Sequence, residues 1–123
     1  MCLGIPSGAI ATAGAKPIND WRETLPNLDF LSVNCPKTPE TLGMISSEEL
    51  AAMRRTAYVV NTARGGIVNE TALCEALEAK TIAGAGIDPF LVEPTPVDHP
   101  LFRLPNILVS PHSARVSKES IYR

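Results

Sequence analysis

Arg64, Asp88, Glu93 and His112 carry the groups that handle a small carboxylate ligand: a guanidinium, two acids and an imidazole. A guanidinium forks onto a carboxylate through two parallel N–H bonds, and an imidazole gives or takes a proton near neutral pH. A carboxylate beside an imidazole favours its charged form, which makes such a pair a general acid/base. Taken singly, such residues have ordinary explanations: a loop Arg is a solvated charge, an Asp at a strand end a turn former, a His after a strand a satisfied surface or core residue. Their placement separates them from that background, because each falls at or just past the end of a stretch that reads as a β-strand.

The elements that must position them are organised around AYVVNTARGGIVNE, residues 57–70. Tyr58, Val59 and Val60 form a β-branched and aromatic run, a Gly-containing loop follows, and a helix begins at Asn69, so the order is strand, loop, helix. In open α/β sheets ligands lie beyond the carboxyl ends of the strands, where this stretch places Thr62, Ala63 and Arg64. Upstream, residues 1–27 read as an irregular segment, with Trp21 and Leu25 at the spacing of one helical turn. DFLSVN, 29–34, reads as a buried strand between Pro26 and Pro36, and CPKTPETLG as a loop. Ser46 and Glu49 form a capping box opening a helix, with Leu50, Ala51 and Met53 on one face and Arg54 and Arg55 near its carboxyl end. Met44 and Leu50 are assigned to the core.

Downstream, Asn69 caps a second helix whose Leu73, Ala76 and Leu77 make an apolar stripe, with Lys80 near its end. A small-residue strand follows at 83–87, where Gly84 and Gly86 would let a helix or cofactor come close to the backbone. DPFLVEPTPVDHP is loop, 101–104 a tight helical turn, and 106–110 a fourth strand leading into Pro111 and His112. SARVSKESIYR reads as the first turns of a closing helix, with Val116 and Ile121 apolar. This alternation predicts an α/β fold, a mostly parallel Rossmann-like sheet with helices on its faces.

The chain has 123 residues, 45% of them apolar, and a net charge of −2, which fits one soluble α/β domain. Without a basic cluster, no nucleic-acid partner is expected, and no apolar run is long enough for a membrane span. Cys2, Cys35 and Cys74 are odd in number and lack zinc-ligand spacing, so they read as reduced thiols of a cytoplasmic protein and no metal is expected.

CPKTPET, NTARGGIVNE, GAGIDPFLVEP and ILVSPH, in that order and spacing, resemble the successive motifs of the D-isomer-specific 2-hydroxyacid dehydrogenases. That family includes phosphoglycerate, glyoxylate/hydroxypyruvate and D-lactate dehydrogenases. The resemblance implies catalytic roles for Arg64, on the substrate carboxylate and keto oxygen, for His112 as acid/base and for Glu93 as its partner. It implies cofactor contacts from Cys35, Pro36, Thr62, Ala63, Arg64, Asp88, His112 and Ala114, with Asp88 near the nicotinamide carboxamide. The implied cofactor is NAD or NADP, the substrate a small 2-keto or 2-hydroxy acid, and the reaction hydride transfer at C2. Family members are typically homodimers.

The chain departs from the family in having no GxGxxG loop and no acidic ribose-binding residue upstream of CP. Residues 28–123 therefore read as the second half of a nucleotide-binding domain, a fragment inactive alone. Weak NAD affinity is expected, since the amides that hold a pyrophosphate are missing. The strand at 29–34 is left with an open apolar edge, so self-association is expected too. The alternative is a non-catalytic remnant or interaction module; an α/β hydrolase is disfavoured because no GxSxG elbow is present.

Overall fold

A computed structural model describes residues 7–114, 116 and 117, the first three by backbone alone. Four parallel strands form one sheet in the order β1-β2-β3-β4, with β1 at Phe30–Val33, β2 at Tyr58–Asn61, β3 at Gly84–Ile87 and β4 at Ile107–Val109. This is the parallel α/β arrangement that the alternating pattern predicts. The register aligns Val33 with Asn61, Asn61 with Ile87, and Ile87 with Val109. Four carboxyl ends thus finish in one row. The segments beginning at Asn34, Thr62, Asp88 and Ser110 all leave the sheet from that edge.

Helices α2, Ser47–Ala52, and α3, Glu70–Glu78, are the crossovers before and after β2. Leu73, Ala76 and Leu77 of α3 are buried with Leu50 of α2 against Val33, Val59, Ala85 and Ile87. Met44 packs against this core and is partly buried. The Asn69 side chain accepts the Ala72 N–H at 3.1 Å, as an N-cap should. At the other end Lys80 takes a positive φ of 53°, and the N–H groups of Lys80 and Thr81 return to the Leu77 and Ala76 carbonyls. That is a Schellman termination with lysine where glycine is usual.

Several local expectations need correction. Helix α2 stops at Ala52; Ala51 within it is exposed, Met53 is its buried C-cap and the two arginines lie beyond it. Arg54 there reaches the Pro26 carbonyl and Asp29, and Arg55 the Lys80 carbonyl. Within residues 1–27, read as irregular, the structure has a helix α1 at Ser7–Thr12, while the helical turn suggested by Trp21 and Leu25 is found as a 3-10 helix at Arg22–Asn27. The second of these buries Leu25 and Trp21, and Arg22 donates from Nε to Glu49 at 2.9 Å. At Gly84 no helix comes close; the nearest atoms to a Cβ there would be the Tyr58 ring and the Asn106 carbonyl, and at Gly86 those of Val60. The expected closing helix and Cys2 fall largely outside the described residues.

Alternation along the strands turns Phe30, Tyr58 and Leu108 toward the other face, where they stay exposed at 67%, 44% and 76%. The Phe30 and Tyr58 rings stack with centroids 5.5 Å apart.

Candidate active site

The loop after β2 is shaped by a buried amide. Asn61 is only 1% exposed, so its polar atoms need partners, and both lie in the next three residues. Its Oδ1 accepts the Ala63 N–H at 3.1 Å and its Nδ2 donates to the Arg64 carbonyl at 2.9 Å. The turn so closed projects the Arg64 side chain outward, where Nη1 touches the Ala63 carbonyl at 2.7 Å and no described acid pairs with it. Arg64 lines an open cavity of about 690 Å³ with Asn34, Cys35, Pro36, Lys37, Thr62 and Ala63. The expected cofactor contacts after β1 and β2 therefore share one depression, and its two cations suit an anionic ligand.

His112 and Glu93 meet directly. Nδ1 of His112 is 3.0 Å from each Glu93 oxygen, both side chains being about 40% exposed. A carboxylate only accepts, so the ring proton facing it belongs on Nδ1 and Nε2 is left for a ligand. The hydrogen bond from His112, helped by the Phe90 N–H at 3.1 Å, holds the Glu93 carboxyl below its ordinary range. His112 itself has φ of 50°, a left-handed conformation rare for a residue with a side chain. Asp88 holds it there by accepting the His112 N–H at 3.0 Å and the Ser110 hydroxyl with the same oxygen. This second cavity, also about 690 Å³, is walled by Phe90, Phe102, Pro94 and Val109 beside the imidazole. Ala114 is exposed two residues further on.

The expected triad is thus joined at Glu93 and His112 and only indirectly at Arg64. Arg64 lies in the loop after β2 and His112 in that after β4, strands two spacings or about 10 Å apart that end at the same edge. A link between them runs through Gly65, whose α-carbon faces the Phe90 carbonyl so closely that no Cβ would fit. Gly66, at φ of 87°, continues the contact against Leu91 and Leu42. Behind them Gly43 and Ile45 donate to the carbonyls of Gly66 and Ile67, fixing the loop from below.

Sequence reasoning missed Asn61, Gly65, Glu70 and His99. Glu70 accepts the Leu91 N–H at 2.6 Å and His99 Nε2 at 3.0 Å, pinning the loop that bears Glu93. The signal for Asn61 was present, as a polar residue closing an apolar strand. For the others the partner lies about 21 to 29 residues away, beyond any local pattern.

Among the described residues no cluster of potential metal ligands occurs, and no helix is long and apolar enough to cross a membrane.

Residues 6–114 match the family model of the D-isomer specific 2-hydroxyacid dehydrogenase, NAD binding domain. A glyoxylate reductase of Korarchaeum cryptofilum is 49% identical over 92 residues, covering 75% of this chain and 28% of that protein. A D-isomer specific 2-hydroxyacid dehydrogenase of Lactobacillus delbrueckii ssp. bulgaricus, solved with NAD, superposes with a TM-score of 0.77 at 30% identity, over 94% of this chain and 44% of its own. One from Xanthobacter autotrophicus, solved with NADPH and MES, gives 0.70 at 44% identity, over 74% and 38%. The chain spans about a third or less of the first curated relatives it matches, 28% and 32% of two of them. With a family match that takes in both cavities and every strand, the chain belongs to the D-isomer specific 2-hydroxyacid dehydrogenases, as part of their NAD-binding domain.

Proposed function

We propose that this chain carries the catalytic side chains of an NAD- or NADP-dependent dehydrogenase acting on a small 2-keto or 2-hydroxy acid. The observation that supports this most is the His112–Glu93 pair at the carboxyl edge of a parallel sheet, with Arg64, which pairs with no acid among the described residues, on the same edge. Arg64 forks onto the substrate carboxylate and keto oxygen, orienting the substrate and polarising its carbonyl. His112, oriented through Nδ1 by Glu93, presents Nε2 to the C2 oxygen and supplies its proton in the reducing direction. Cys35, Pro36, Thr62 and Ala63 border the nicotinamide end of the cofactor, with Asp88 and Ala114 on the His112 side. That cavity fits such a group: it is open, lies at the ligand edge of the sheet and offers cations to an anionic dinucleotide. When bound, the nicotinamide supplies or takes the hydride at C2.

The free thiols of Cys35 and Cys74 support a reducing compartment, the cytoplasm. One observation favours a second reading, an interaction module without turnover. Strand β1 is an edge strand, and Phe30 on it and Tyr58 on its neighbour β2 expose a stacked apolar pair, which favours self-association or docking on another polypeptide.

Grafting residues 28–114 into the Korarchaeum cryptofilum glyoxylate reductase, in place of its matching segment, separates the two readings. Steady-state oxidation of NADH or NADPH by glyoxylate, hydroxypyruvate or pyruvate is expected from the graft. A folded, cofactor-binding graft without turnover would favour the interaction module.

A further inference from the structure

The loop from Asp88 to His99 carries Glu93 yet belongs to no strand or helix, and residues 91 to 95 are largely exposed. Something outside the loop must hold it if Glu93 is to stay at His112. We propose that Glu70 and His99 are positioning residues for the His112–Glu93 pair, gripping the loop at both ends through one carboxylate. The proposal rests on the functional reading above and deepens it.

Glu70 is the first residue of α3, behind a helix N-terminus already capped by Asn69. Both of its oxygens turn away from the helix. Oε1 accepts the Leu91 N–H at 2.6 Å, and Oε2 meets Nε2 of His99 at 3.0 Å, with the two side chains only 17% and 18% exposed. Nδ1 of His99 accepts the Leu101 N–H at 3.3 Å, so the ring proton sits on Nε2 and is donated to Glu70. The same ring packs edge-on against Phe90 at 5.2 Å, and the Phe90 N–H is a donor to Glu93. Leu91 and His99 flank Glu93 on either side, so one carboxylate fixes both ends of the segment that presents it.

The isosteric variant Glu70→Gln can satisfy only one of the two donors, because its amide nitrogen then faces an N–H. His99→Phe keeps the packing on Phe90 and removes the bond to Glu70. The readout is the His112 tautomer, from long-range proton–nitrogen correlation spectra of the 123-residue chain above the titration of its histidines. A chain held only for stability would not change it. The native chain is expected to place the His112 proton on Nδ1, and Glu93→Gln to release it toward Nε2. Glu70→Gln and His99→Phe, with native methyl spectra of the sheet, are expected to lower the Nδ1-protonated fraction about twofold or more. Folded variants that both keep the native tautomer would overturn the clamp while leaving the pair intact. If Glu93→Gln also leaves the tautomer unchanged, the pair is not formed, and the clamp falls with the reading on which it rests.

Discussion

Gly65 and Phe90 touch backbone to backbone, the α-carbon of one against the carbonyl of the other, with no room for even a methyl group between them. The loop that displays Arg64 and the loop that displays Glu93 are therefore seated on each other. Gly65→Ala is expected to drive them apart and to cost about 3 kcal/mol, the upper range for overpacking, because backbone must yield. Gly66→Ala adds strain at φ of 87° but clashes with the movable ends of Leu91 and Leu42 rather than with backbone, so its cost should be smaller, about 1–2 kcal/mol. Urea unfolding of the two variants checks both values; equal, negligible effects would show that the loops are not in register with each other.

Acid should weaken the fold through two glutamates. Burial raises the Glu49 carboxyl, but the Arg22 side chain and the Ser46 N–H at 3.0 Å outweigh it, and the net shift is downward. Glu93 is lowered chiefly by the hydrogen bond from His112. A carboxyl lowered in the folded state stabilises above its unfolded pKa of about 4.3 and loses that contribution as pH falls through the folded value. Through these two carboxyls the urea midpoint should fall as pH drops below about 4. Glu49→Gln should lower the midpoint at neutral pH and flatten part of the acid limb. An acid limb identical to that of the native chain would remove Glu49 from the account.

The exposed Phe30 and Tyr58 rings beside the free edge of β1 make an apolar surface without charge. Size-exclusion chromatography at rising concentration should show species larger than the 13.2 kDa chain, and Phe30→Lys should shift them toward that mass. A sharp monomer peak from the native chain at every concentration would rule out self-association through this face.

Much of the fold could be read from sequence because its signals are local. Val59, Leu73 and Leu77 repeat at strand and helix periods, and Asn69 is both a capping residue and an observed cap. Helix α1 was missed because Ser7–Thr12 has no apolar stripe, and α2 was read too long because Met53 lies at helical spacing although it is a C-cap. The meeting of Glu93 with His112 followed from strand order and motif resemblance together. Asp88 was expected at the nicotinamide; what the structure shows is its hold on the His112 backbone N–H, a contact no local pattern announces. Glu70 looked like an ordinary first-turn acid and Gly65 like an ordinary turn glycine, since what defines each is a contact about 20 or more residues away.

The central claim is that Arg64 and His112 serve one substrate from the carboxyl edge of the same sheet. Its most direct measurement is kcat/KM for glyoxylate in the grafted reductase with Arg64→Ala and with His112→Asn. Loss of the forked guanidinium and loss of the proton donor are each expected to lower kcat/KM by roughly a hundredfold or more, with cofactor affinity changed far less for His112→Asn. A graft that turns over at its full rate with either side chain removed would contradict the claim.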